Sequence, residues 1–398
     1  MHEHWSLDPT IAFLNHGSYG ACPHVVLEAQ ARLRAELERE PVRFFQERLE
    51  PLLDEARAAL GTFLGARPDD LAFVPNATTG VNTVLASVAR DLAPGDELLT
   101  TDHEYAACAN ALARWAERAG ARVVVAHVPF PSRGDDEVLD AILRCVTPRT
   151  RLALVDHVTS PTALVLPIAR IVAELAARGV EVLVDGAHAP GMVALDVQAL
   201  GAAYYTGNCH KWLCAPKGAA FLWVRADRQA RLEPLVTSHG RSARRCDRSR
   251  FRLEADWTGT SDPTPYLSVP EAIGFVGSLL PGGWDEVRKR NRATAVRVRA
   301  SLTETLGTEP ACPESMLGSM ASILLPHDLA GDPPSRGEAC FEFHQALFDR
   351  FAIEVPVHPS PDGTRSVLRI SAHLHNRASD YARLAEALVG MRSRAPAA

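Results

Sequence analysis

The chain is nearly empty of lysine. Three of its 398 residues are lysine, Lys211, Lys217 and Lys289, and the remaining 39 of its 42 basic residues are arginine. Its eight cysteines form no C-x-x-C pair, so neither a disulfide scaffold nor a zinc ribbon is expected. Cys209 and Cys214 flank His210, but no second cysteine/histidine pair at a metal-binding spacing accompanies them, which speaks against a metal site. No apolar run reaches the roughly 18 residues that span a bilayer. The opening "MHEHWSLDPT" lacks the basic and apolar regions of a secretory signal, and a cytoplasmic protein with free thiols is expected. A net charge of −6 gives no reason to expect nucleic-acid or anionic-membrane binding. No G-x-G-x-x-G opens a strand–helix turn and no G-x-x-x-x-G-K-[ST] occurs, which disfavours dinucleotide and P-loop chemistry.

What is present is an alternation. Between residues 70 and 225 the runs "LAFV", "DELLTT", "ARVVVAH", "RLALVD", "VEVLVD", "AAYYTG" and "AAFLWV" are mostly continuous in apolar character, as strands buried on both faces are. Helical patterns lie between them, including Gly80 to Arg90, Tyr105 to Arg118 and Ile168 to Arg178. This order predicts an α/β fold with an open, mostly parallel seven-stranded sheet and helices on both faces. Ligands of such sheets sit at the carboxyl ends of the strands. A polar, arginine-rich loop is expected over 240–263, then a long helical stretch over 265–305. A smaller α+β unit follows, with strands at 321–326, 351–357 and 366–371, helices near 338–349 and 377–392, a surface loop at 331–338 and a frayed tail. The expected units are an N-terminal segment over 1–24, a large domain over 25–263 and a small domain over 264–398.

Three strand ends carry chemistry. In "VPNATTG" a strand stops and a helix opens, so Thr78, Thr79 and the first backbone N–H groups offer an anion site, or simply a threonine helix cap. In "VEVLVDGAHAPG" Asp185 closes an apolar strand, and a carboxylate there either caps a helix or holds a buried cation, with His188 close by. In "TGNCHKWLCAPKG" Lys211 follows a strand. A lysine kept from water becomes a nucleophile toward carbonyl carbon, a role that arginine cannot fill. A phosphate cradle, a carboxylate for a pyridinium nitrogen and an amine for an aldehyde are together the handles of pyridoxal phosphate.

The segments "FLNHGSYGACP", "NATTGVN", "TDHEYAA", "SPTALVLP", "VDGAHAPGM", "TGNCHKWLCAPKGAAFLWV" and "DWTGTSDPTPYLSVPEAI" resemble the class V aminotransferase superfamily, and more narrowly its isopenicillin N epimerase-like branch. The resemblance implies the fold type I of pyridoxal-phosphate enzymes. It assigns Lys211 as the cofactor-linked lysine, Asp185 as the partner of the pyridine nitrogen and His188 as a neighbour of the ring oxygen. Thr78, Thr79, Asn208 and His210 match the phosphate cradle, Tyr105 a ring-stacking position, and Ser160 and Thr162 the segment near the ring oxygen. Thr258 to Thr260 match a loop that reaches the neighbouring subunit's phosphate, which implies a homodimer. Arg369 matches the arginine that grips a substrate carboxylate, with Asn15 and Ser18 lining the mouth, and Arg43 and Phe44 are further candidates. Cysteine desulfurases of the superfamily carry a nucleophilic cysteine just before the "R-x-S" strand. Here that stretch is "EVPVHPSPDGTRSVLRIS", which has no cysteine and speaks against persulfide chemistry; His358 falls in that neighbourhood, as an exposed loop residue or as one that acts on substrate. The expected activity is Cα–H chemistry on an amino acid or peptide-like amine, epimerisation first, with β-elimination at a C–S bond or transamination as alternatives. An epimerase needs a second acid, for which Tyr105, a loop histidine or water are open. The absence of a helix-turn-helix ahead of Phe13 speaks against a DNA-binding ligand sensor.

Overall fold

A computed structural model describes residues 1–330 and 336–392. Most of the loop expected at 331–338, and the tail beyond Arg392, lie outside the described residues. Seven strands form the main sheet: β1 (Leu71–Val74), β2 (Glu97–Thr101), β3 (Arg122–Ala126), β4 (Thr150–Asp156), β5 (Glu181–Asp185), β6 (Tyr204–Asn208) and β7 (Ala220–Val224). Their order is β1-β7-β6-β5-β4-β2-β3. Only β7 runs against the others, pairing antiparallel with both β1 and β6. Every residue of β2, β6 and β7 is buried, which is why those runs lack polar alternation.

The two faces of the sheet fill two cores. Leu98, Leu152, Leu154 and Leu183 pack with Val81, Val84, Cys108 and Leu112 on one side. Leu99, Ala153, Val155 and Val184 meet Leu60, Leu64, Ile171 and Leu175 on the other. Each fully buried leucine contributes about 1.5–3 kcal/mol, so both layers are needed to hold the strand ends still. Gly80 sits in the first turn of the helix Ala77–Val88, where a Cβ would stand 2.2 Å from Thr206 Oγ1 on β6. That close approach sets the helix start directly over the carboxyl end of the sheet.

A second sheet is antiparallel, in the order β9 (Val357–Pro359), β10 (Ser366–Ser371), β8 (Met320–Leu324). The strand expected at 351–357 divides in two. Ile353–Glu354 pairs parallel with Ala12–Phe13, and β9 begins only after Pro356, which has no N–H to donate. The long helix expected at 265–305 is three helices, Thr264–Leu267, Val269–Ser278 and Gly283–Leu306. Pro281 and two positive-φ glycines, Gly282 at +98° and Gly283 at +65°, make the second break. The arginine-rich loop is partly ordered as a helix over Arg250–Ala255, capped by Ser249 and anchored by buried Phe251. Residues 336–338, expected as loop, open the helix Arg336–Phe351.

Candidate active site

Strands β4 and β5 stop together, with Asp156 beside Asp185 in register, and β6 lies beside them at Thr206 before running on to Asn208. The chain leaves β6 at Asn208 and reaches Lys211 three residues later. Lys211 Nζ lies 3.1 Å from His188 Nε2, and the Trp212 indole N–H points at His188 Nδ1 at 3.4 Å. An indole N–H only donates, so Nδ1 is the bare nitrogen and Nε2 carries the proton of the neutral ring. His188 then donates toward Lys211, a bond that only an unprotonated amine can accept. Loss of water around Lys211 and the nearby Arg369 charge act the same way, bringing its pKa down to about 8 against the pull of Asp185 and Asp156.

Beneath this amine lie three buried carboxylates. Asp185 Oδ1 accepts from Ala187 N at 2.9 Å and its Oδ2 from the Cys108 thiol at 3.2 Å. Glu104 accepts from Tyr105 N at 3.2 Å, and Asp156 Oδ2 has no partner. Burial pushes all three upward, and mutual repulsion adds to the rise at Glu104 and Asp156. A carboxylate of such a set stays ionised only where a cationic group comes against it. Asp185 caps a turn rather than a helix.

The helix cap at the first strand end is Asn76, not a threonine: its Oδ1 accepts from Thr79 N at 2.8 Å. Asn208 Oδ1 accepts from Ala77 N at 2.9 Å, so Asn208 braces the turn by its backbone. Thr78 and Thr79 remain partly exposed at the helix start. His210 is directed with Nδ1 to the Ala219 carbonyl at 2.9 Å, which leaves Nε2 without the proton while burial holds its pKa near 4. A bound phosphate dianion would favour a second proton there.

Arg369 is almost fully buried on β10 with neutral partners. Nη1 donates to Ser160 O and Oγ at 2.6 and 3.3 Å, and Nη2 to Asn15 Oδ1 and Ser18 Oγ at 3.1 and 3.0 Å. Nε is buried and unpaired, and Arg369 makes no ion pair among the described residues. A buried guanidinium without a counter-charge keeps capacity to bind an anion.

The other expected residues divide. Tyr105 caps the helix Ala106–Ala119 and is 45% exposed, so its ring is free to meet a ligand. Thr162 is turned inward to His103 Nδ1 at 2.7 Å and Thr159 Oγ1 at 2.8 Å. Thr258, Gly259 and Thr260 are exposed, and Thr258 shares with Thr79 and Trp257 the lining of a cavity of about 460 Å3. Arg43 is exposed beside Glu47, whereas Phe44 is core. His358 is not an exposed loop residue. It lies on β9 opposite Val367, on the Arg369 face of the sheet, with a buried and unpartnered Nε2. Sequence reasoning missed Glu104, Cys108, Asp156, His16 and His375. Asp156 was readable as a second carboxylate closing an apolar strand, but the others gather only through folding.

An amine, a carboxylate set, an anion turn and an arginine without a counter-charge are the kinds of group that a pyridoxal-phosphate site uses. Comparison with known proteins gives the same class. Residues 14–323 match the family model "Aminotransferase class-V". The chain belongs to this family, and its cofactor is pyridoxal 5'-phosphate. It is 40% identical to the isopenicillin N epimerase of Amycolatopsis lactamdurans, over 97% of this chain and 96% of that one. It is 32% identical to the probable chloroplastic L-cysteine desulfhydrase of Arabidopsis thaliana, over 96% and 83%. Among solved structures, a cystine C–S lyase in complex with cysteine persulfide superposes with a TM-score of 0.79 at 23% identity, covering 96% and 97% of the two chains. That likeness concerns the fold.

Proposed function

We propose that the protein moves a proton at the Cα of a carboxylate-bearing amino acid or peptide-like amine, with epimerisation as the leading outcome. The observation that carries this reading is the pairing of Lys211, poised to lose its charge beside His188, with an Arg369 that has no acidic partner. When bound, the cofactor supplies an aldehyde for an amine and a ring that withdraws electrons from Cα. Asp185 would hold the pyridine nitrogen, and Thr78, Thr79 and His210 the phosphate. His188 and Ser160 would approach the ring oxygen, and the exposed Tyr105 the ring face.

Arg369 would take the substrate carboxylate, with Asn15 and Ser18 at the mouth. Fixing the carboxylate and the amine orients Cα–H toward Lys211, whose Nζ then removes the proton as general base. Epimerisation requires a donor on the opposite face. His358, beside Arg369 with a free Nε2, joins Tyr105 as a candidate for that role. Thr258 and Thr260 would meet the phosphate site of a second copy in a cytoplasmic homodimer. Elimination at a C–S bond is a second reading, favoured by the L-cysteine desulfhydrase relatives. It uses the same Lys211 proton step but needs a β-leaving group instead of an opposite-face donor.

Incubation of the pure protein with L- and D-amino compounds in heavy water separates these outcomes. Inversion with Cα deuteration supports epimerisation, and pyruvate with sulfide or thiol replaces it by the lyase reading. Keto acid without thiol points to transamination.

A further inference from the structure

Beside the site lies a cluster that the proposed chemistry does not use. His16, His373 and His375 are all buried, and Cys214 Sγ sits 3.5 Å from His373 Nε2. The rings of His16 and His373 stack at 4.1 Å and 12°, so their in-plane lone pairs run parallel and do not converge on one ion. Their hydrogen bonds lead elsewhere. His16 Nε2 lies 3.1 Å from the Lys211 carbonyl oxygen, and His16 Nδ1 lies 3.1 Å from His375 Nε2. A carbonyl only accepts, so Nε2 of neutral His16 bears the proton, Nδ1 is bare, and His375 must donate to it. The backbone of the lysine is thus held by a histidine whose other ring nitrogen is held in turn by a second histidine. Gly20, at φ +71°, ends the same turn at a place where a Cβ would stand 2.1 Å from His210 O.

The turn His16–Tyr19 also reaches Arg369. Asn15 and Ser18 take both Nη2 hydrogens, Ser160 takes those of Nη1, and Nε alone is unpaired. A carboxylate that grips the guanidinium side-on uses Nε and Nη2. It cannot do so while Asn15 and Ser18 both stay in place. We propose that His16 and His375 are positioning residues for Lys211, and that Asn15 and Ser18 link them to Arg369, so that carboxylate binding displaces the turn and re-sets the lysine. Substrates with a free α-carboxylate are thereby distinguished from simple amines at the lysine itself, before any bond changes. The inference rests on the reading of Lys211 as cofactor-bearing and of Arg369 as carboxylate-binding.

The test uses the cofactor-loaded enzyme with propionate, a carboxylate that has no amine to react, and propionamide as its neutral counterpart. Circular dichroism of the cofactor band reports the tilt of the ring on Lys211. Propionate is expected to change the band and propionamide to leave it. His375→Phe should keep the cofactor but lose more than roughly half of the propionate response, and should slow cofactor capture by the stripped protein about 3- to 10-fold, as loss of one buried hydrogen bond implies. His375→Gln, whose amide still donates to His16, should restore both. Ser18→Ala cuts the link at its partly exposed other end and should give the same loss of response if His375→Phe does not fold. A full response in His375→Phe or in Ser18→Ala overturns the inference, as does a wild-type band that ignores propionate while propionate competes with substrate. Absence of a borohydride-trapped group on Lys211 overturns the cofactor reading and the inference together, whereas a trapped group with no propionate effect overturns the inference alone.

Discussion

Two regions of the molecule bury arginine in opposite ways. Around the helix Arg250–Ala255, Arg57 reaches Asp54 and Asp256, and Arg252 reaches Asp54, Asp69 and Asp256. Arg57 also donates to the Leu71 carbonyl at 3.0 Å, pinning the first strand of the sheet. Every charge there has its counter-charge, and the network clamps a long excursion of chain to the large sheet. At β10, Arg369 is equally buried but meets only hydroxyl, amide and carbonyl oxygens. A paired guanidinium is finished as structure. An unpaired one keeps part of its binding capacity for a ligand.

The lysines differ in their surroundings in another way. Lys217 is exposed and donates to the Gly20 carbonyl at 2.9 Å, whereas Lys211 sits against His188, the carboxylates and Arg369.

The strongest way to break this contrast is Lys211→Ala, which should abolish covalent cofactor capture and activity, read by borohydride trapping and absorbance. Next, Arg57→Leu should lower unfolding stability by about 1–3 kcal/mol, because it leaves the Leu71 carbonyl without its donor and Asp256 with Arg252 as its remaining partner. Arg369→Leu should change stability by less than about 1 kcal/mol or raise it, since no buried counter-charge is orphaned. Urea unfolding of the two variants side by side checks the pair. Arg369→Gln should raise KM for a carboxylate substrate about 10- to 100-fold, the worth of a charge-assisted bond, while cofactor content is unchanged. The pH dependence of cofactor capture sharpens the comparison further. The amine reacts uncharged, so capture by Lys211 should rise up to about tenfold per pH unit and level off above about 8, whereas an ordinary lysine would keep rising beyond pH 10. The smallest effect is expected for Lys217→Arg, which should alter capture less than about twofold, because an exposed guanidinium can still donate to the Gly20 carbonyl.

Much of the large sheet was legible because its strands are short, apolar and buried on both faces, a pattern that needs no tertiary information. The places of Lys211, Asp185 and Thr78 were legible for a related reason, since each lies at or within a few residues of the end of such a strand. The long helix over 265–305 was misread because periodicity continued across Ser268 and Leu280, where the chain breaks first at Ser268 and again at Pro281 with two positive-φ glycines. The 351–357 strand failed at Pro356 in the same manner. The arginine-rich segment read as loop from its charge, yet those charges meet aspartates distant in sequence, such as Asp54 and Asp69. His16 and His375 lie 359 residues apart and meet only in the fold. No spacing rule reaches that far.

The central claim is that one lysine of three carries the cofactor. Reduction of the loaded protein with borohydride, followed by peptide mass mapping, tests it most directly. The pyridoxyl mass is expected on the peptide containing Lys211 and on no other residue. A label on Lys217 or Lys289, or a colourless protein with no label, contradicts the account.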